Sequence, residues 1–251
     1  MSGFYTLLHK ELLRFWKVGL QSICAPMIAT LIYLFIFSHI LEERAQAYPG
    51  VTYTAFLIPG LLMMAMLQNS FANSSSSLIQ SKISGSIVFI LLSPLSYMEI
   101  FVAYVLASII RGFLVGAGIY LVILMFFDMP LQSLSWVFIF ALIGNGFLGV
   151  LGIIAAIWAE KFDQLASFQN FVILPLTFLS GVFYTIHSLP PFWEGLSRFN
   201  PFFYVIDGFR YGFFGISDVS PYFSFMIVGI CFLAVSWVTL RMLKTGYKLR
   251  Q

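Results

Sequence analysis

The sequence predicts an all-α membrane protein of six transmembrane helices, and three observations carry that prediction. Charges are confined to short clusters, so Val18–Leu41 (24 residues), Ala45–Ser81 (37), Met129–Ala159 (31), Gln164–Trp193 (30) and Val219–Leu240 (22) carry none. A helix crosses a bilayer with about 20 predominantly apolar residues. Composition agrees: 60% of residues are hydrophobic and 9% charged, where a soluble domain carries roughly 25% charge, and mean hydropathy is +0.95. Finally, the basic residues are unevenly divided between the two sets of loops.

Taken in order, residues 1–17 precede the first span. Thr6, Lys10, Arg14 and Lys17 recur at spacings of three and four, and Phe4, Leu8, Leu12 and Phe15 do so on another face. That pattern is an amphipathic helix lying in the interface with its basic face toward lipid phosphates; a plain positive-inside anchor reads equally well. The rest, 18–251, forms one transmembrane domain with spans at 19–40, 54–76, 97–127, 134–159, 164–186 and 222–242. The third of these accepts Arg111 as its intramembrane charge. Six spans fill more than half of the 251 residues and leave no length for a second globular domain. Basic residues, an apolar run and Ala45-Gln46-Ala47 imitate a signal peptide. The 24-residue run exceeds the roughly 7–15 of an h-region, so an uncleaved first span is expected.

Six crossings put both termini on one side. That side holds nine basic residues (Lys10, Arg14, Lys17, Lys82, Lys161, Arg241, Lys244, Lys248, Arg250), against Arg44, Arg198 and Arg210 on the other. Positive-inside bias makes the termini cytoplasmic.

Several motif matches carry no function. Gly144-Asn145-Gly146-Phe147-Leu148-Gly149 fits the dinucleotide fingerprint, but it lies inside a span with no strand before it. Close helix packing through Gly144, Gly149 and Gly152 accounts for it better. Asn73-Ser74-Ser75 is a glycosylation sequon at the cytoplasmic end of a span. His9, His39 and His187 have no metal-ligand spacing, and Cys24 and Cys231 fall inside spans, so neither a metal site nor a disulfide framework is expected. No phosphate-binding Gly-x-x-x-x-Gly-Lys-Ser/Thr loop occurs, and no Ser/His/Asp constellation follows from spacing.

Other signals survive. Arg111 sits mid-span, where insertion costs roughly 2.5–3.5 kcal/mol, so it is expected to face the interior with Asn145, Glu160 or Asp163 as partner. It reads as a buried structural pair or as a pathway residue. The inner end of the second span is polar (Gln68, Asn69, Asn73, Ser74 to Ser77, Gln80, Ser81) and lines either an aqueous cavity or a helix interface. Lys82–Ser93 carries Ile83, Ile87, Ile90 and Leu91 at helical spacing and predicts a short cytoplasmic helix that ends near Pro94. Between the last two spans, His187–Ser220 is rich in proline, glycine and aromatics, with Glu194/Arg198 and Asp207/Arg210 as helix-compatible pairs. It predicts an external re-entrant hairpin of two short helices, read either as an aromatic interfacial belt or as a cap over an exit.

These pieces together resemble the membrane subunits of type-2 ATP-binding cassette exporters, the ABC-2 permease family. The resemblance rests on Phe56-Leu57-Ile58-Pro59-Gly60-Leu61, on Leu91-Leu92-Ser93-Pro94-Leu95, and most specifically on Leu179-Ser180-Gly181-Val182-Phe183-Tyr184 followed by Leu189-Pro190-Pro191-Phe192-Trp193. Asn200-Pro201 and Gly208-Phe209-Arg210-Tyr211-Gly212 continue it. It is closest to small bacterial permeases encoded apart from their ATPase, whose relatives export drugs, lipids or lipid-linked glycans.

The resemblance implies a homodimer in the bacterial inner membrane, each copy docking a separate ATPase that holds the ATP and Mg, with no cofactor, nucleic acid or catalytic residue in this chain. Lys82, Ile83, Ile87, Phe89, Ile90, Leu91 and Leu92 would form the coupling helix. Family members carry acidic residues there; this segment has one charge, implying a mostly apolar contact. Pro191, Trp193, Asn200, Pro201, Phe209, Arg210 and Tyr211 would belong to the re-entrant hairpin. The expected function is export of an amphipathic or lipidic substrate. The alternatives are an intramembrane lipid-modifying enzyme, which needs converging ionisable groups, and a non-transporting assembly component.

Overall fold

The computed structural model describes residues 3–41 and 48–249. Arg44, Ala45-Gln46-Ala47 and Arg250, which enter the charge and cleavage arguments, lie outside the described residues. Helix α1 (Gly3–Lys17) leads into α2 (Gly19–Leu41), then α3 (Tyr53–Ile83), a short α4 (Ile87–Leu92) and α5 (Tyr97–Ile123). After α6 (Leu134–Trp158), α7 (Phe162–Phe168) passes through a π turn (Gln169–Ile173) into α8 (Leu174–Phe178). The chain closes with α9 (Pro191–Arg198), α10 (Pro201–Phe214) and α11 (Pro221–Thr245). Among the described residues there is no strand beyond an isolated Tyr48–Val51 bridge, and the all-α expectation holds. Five helices, beginning at Gly19, Tyr53, Tyr97, Leu134 and Pro221, are long and apolar enough to cross a membrane.

Local chemistry sets the boundaries. Thr52 caps α3, accepting from the Ala55 amide. Ser96 and Glu99 close a reciprocal capping box on α5, which is why that helix restarts just after Pro94. Pro221 opens α11, and Gly246 in the left-handed region ends it.

The fifth predicted span differs. Helix continues only from Phe162 to Phe178, 17 residues or about 25 Å, rather than to Ile186. Pro175 supplies no amide to the ladder, and the π turn lies directly before it. Beyond Phe178, Gly181 takes φ +74°, and the segment to Thr185 runs as irregular backbone.

The core sits on α3, which packs against α6, α5, α10 and α2 and is buried along most of its length. At 31 residues it is about 46 Å long, well beyond a hydrocarbon core of about 30 Å. α4 follows directly on its C-terminal end. α2 and α11 leave most of their apolar surface uncovered.

Candidate functional site

At the end of the bundle that holds α1 and the C-terminus of α3, α4 is a tip with two faces. Ile87 turns inward and is buried, Ile90 and Leu91 are half-buried, and Val88, Phe89 and Leu92 point outward, Phe89 and Leu92 at 77% and 78% exposure. Ile83, at the foot of the turn, is also exposed. Lys82 does not join this surface. Its Nζ donates to the carbonyls of Ala156 (3.1 Å), Ile157 (2.8 Å) and Ala159 (2.6 Å), closing the C-terminus of α6. A cation there also complements the helix dipole.

α1 is seated against the inner end of α3. Glu11 is fully buried and accepts from Ser77 Oγ at 2.8 Å, with Lys10 Nζ at 3.4 Å and Arg14 Nε at 3.6 Å. Arg14 donates to the Asn73 carbonyl (2.6 Å) and Ser76 Oγ (3.0 Å). The polar inner half of α3 is therefore a helix interface. Ser70 donates to Asn145 Oδ1 at 2.6 Å, and Ser74 donates to the Gly149 carbonyl at 2.6 Å. Glycines make this approach possible: a Cβ at Gly112 would collide with Asn145 and Ser70, and one at Gly152 with Ser74. Gly144 and Gly149 stand against Met63 and Ser108 in the same way, as packing rather than nucleotide binding requires.

Arg111 lies at mid-height. Its Nη2 donates to Asn69 Oδ1 at 3.1 Å and reaches Ser22 Oγ at 3.4 Å. The guanidinium lies 5.5 Å from the centre of the Phe15 ring. The expected partners differ from these. Asn145 is engaged by Ser70, Glu160 pairs with Lys248 at 3.1 Å, and among the described residues no carboxylate reaches Arg111. Arg111 thus joins α1, α2, α3 and α5 through neutral groups.

At the opposite end of the bundle from α4, the segments that carried the resemblance pack on one another. Arg210 is fully buried, its guanidinium 3.9 Å above the Phe56 ring and its Nη2 donating to the Gly181 carbonyl at 2.8 Å. Gly60 leaves room for this: a Cβ would stand 2.9 Å from the Val182 carbonyl and 3.2 Å from Arg210. Tyr53 donates to the Phe183 carbonyl (2.9 Å), and Asn200, which caps α10 ahead of Pro201, donates to the Leu176 carbonyl (2.6 Å). Asp207 and Arg210 do not pair as their spacing suggested. Asp207 accepts the amides of Asp218 (2.9 Å) and Val219 (3.0 Å). Asp218 accepts from Tyr48 (3.0 Å) and from the Ile186 amide (2.7 Å), pinning three loops together. Burial, with the neighbouring carboxylates, holds the Tyr48 phenol far above its ordinary range. The hairpin divides by helix. α10 is inserted into the core, with Phe209 buried and Tyr211 half-buried, whereas Pro191, Phe192 and Trp193 of α9 stay exposed. Glu194 and Arg198 do pair, at 2.7 Å.

A profile of the family described as "ABC-2 type transporter" matches residues 2–214. The chain belongs to the ABC-2 type transporter family. It is 35% identical over 243 residues to "Inner membrane transport permease YadH" of Escherichia coli strain K12, covering 96% of this chain and 94% of that one. It is 27% identical over 204 residues to "Nodulation protein J" of Rhizobium leguminosarum bv. viciae, covering 80% and 78%, with similar figures for the Rhizobium meliloti protein of the same name.

As a member of this family the chain is a transmembrane permease subunit, of a class that works with ATP-binding cassette partners. One groove fits such a role: a cleft of about 320 Å³ where α2, α3 and α8 meet, lined by Pro26, Thr30, Tyr33, Leu61, Gln68 and Phe178. The residue that sequence reading missed is Glu11. Its signal was available, since Leu7, Glu11 and Phe15 form one i, i+4 row whose other members are apolar and buried.

Proposed function

We propose that this permease is the membrane half of an ATP-driven exporter in a bacterial inner membrane, working as a homodimer with two separate ATPase subunits. The observation that carries this reading is the outward face of α4. Three large apolar side chains grouped on a short helix outside the bilayer are costly in water and mark a protein-binding surface. With Lys82 committed to α6, that contact is apolar, and Val88, Phe89 and Leu92 seat in the ATPase. The ATP, the Mg and the catalytic groups belong to that partner.

ATP binding closes the ATPase dimer and draws the two α4 helices together. α4 follows α3 with only a short turn between them, so the motion enters the bundle along its most buried helix. The cleft between α2, α3 and α8 then opens outward at the dimer axis, with α7–α8 as the sixth crossing and both termini cytoplasmic. Its walls are apolar apart from Thr30, Tyr33 and Gln68, which supports an amphipathic or lipidic cargo. Export of lipid or lipid-linked glycan fits this surface better than export of a polar ion.

The test is Phe89→Asp in the reconstituted complex. A charge on the docking face should abolish ATPase stimulation by the permease, while the variant is expressed and melts as the parent does. Unchanged stimulation would remove α4 from the contact.

A further inference from the structure

Apart from the groove just described, the inner end holds a separate pocket of about 520 Å³ between α1 and the end of α3. Lys10, Arg14 and Lys17 line one wall, and Ser77, Gln80, Ser84 and Ser86 line the other. Glu11 is the nearby carboxylate, and it is turned into the protein against Ser77, so three cations against one acid leave the pocket net positive. Arg14 is already fixed by Asn73 and Ser76; Lys10 is half-exposed with its Nζ 3.4 Å from Glu11, and Lys17 is exposed at the surface. Cations facing hydroxyl and amide donors suit a phosphate group.

A second, apolar groove of about 420 Å³ runs along α1 past Tyr5, Leu8 and Leu12, and it shares Thr6 and His9 with the polar pocket. The two cavities thus meet along one helix, one built for a charged head and one for a hydrocarbon tail. We propose that α1 and the inner end of α3 form a binding site for an anionic phospholipid, its phosphate between Lys10, Arg14 and Lys17 and an acyl chain against Leu8 and Leu12. This replaces the broad basic face expected from periodicity with a discrete pocket. Because Ser84 and Ser86 belong to the turn that opens α4, the bound lipid bridges the interfacial helix to that turn. The site rests on the proposed orientation only for which leaflet supplies the lipid.

The test is lipid binding to the purified full chain by native mass spectrometry and by titration with phosphatidylglycerol or phosphatidylcholine, which needs no ATPase. Preferential, saturable retention of phosphatidylglycerol is expected. Near a membrane surface each lysine contributes about fivefold in affinity, so Lys10→Gln/Lys17→Gln should weaken that binding about thirtyfold. The control Lys161→Gln/Lys244→Gln, with the same loss of charge at exposed positions, should leave it within about twofold. Equal weakening in both pairs would overturn the site in favour of diffuse surface charge, and so would indifference between the two lipids. Binding of sn-glycerol 3-phosphate as tight as that of the lipid would overturn the lipid assignment, because the apolar groove would contribute nothing.

Discussion

Arg111 shows how neutral partners decide the role of a buried charge. Its contacts reach three other helices, and a Met in its place would leave Asn69 Oδ1 without a donor. A hydrogen bond to a charged group contributes about 1.5–3 kcal/mol, an orphaned buried acceptor costs about 1–3 kcal/mol, and the Phe15 contact adds about 0.5–2 kcal/mol. Against this, removing the charge recovers about 2.5–3.5 kcal/mol of insertion cost. At the middle of these ranges the balance predicts that Arg111→Met is destabilised by about 2–3 kcal/mol. The melting temperature in detergent should fall while permease-stimulated ATP hydrolysis persists in the surviving protein. A variant with parental stability and no transport would instead make Arg111 part of the pathway. That Arg111 must turn toward other helices was legible in its position; that its partners are Asn69 and Ser22, at a half-buried site, was not. Sequence spacing reports only neighbours on the same helix, and these contacts span 42 and 89 residues. Asp207 and Arg210 fail as a pair for the same reason, each taken by a distant backbone segment.

At the scale of elements, charge-free runs located four of the five long helices, and α5 was found despite Arg111, because lipid disfavours charge along a span. The fifth predicted crossing was overextended. Leu179 to Ile186 is as apolar as a helix, yet Gly181 in the left-handed region and the pull of Arg210 on its carbonyl hold it irregular. The Ile spacing foresaw α4, but the helix starts at Ile87, and Lys82 and Ile83 end α3 instead; spacing also could not say which face turns inward. The structure separates two substitutions that sequence treats alike. Ile87→Asp buries a carboxylate and should lower expression and thermal stability, by several kcal/mol if the charge is unpaired. Phe89→Asp lies at the surface and should leave both unchanged. Detergent thermal melts of the two variants compare them directly, and matching melts would show that Ile87 is not packed as described.

For the whole molecule, Phe56, Gly60, Gly181, Asn200 and Arg210 meet in one packed unit, which joins motifs that are scattered along the sequence. The uncovered apolar flank of α2 and the tip of α4 are surfaces a lone chain leaves unfinished. In the proposed function a second copy would cover α2 along the cleft it shares with α3 and α8, and an ATPase would cover α4. The most direct measurement is the mass of the complex purified through a tag on this chain in mild detergent, read by native mass spectrometry. Two permease chains with two ATP-binding cassette subunits are predicted, falling to the permease pair alone when Phe89 is changed to Asp. A single chain without an ATPase, or an ATPase retained undiminished by the Phe89→Asp variant, would contradict the account.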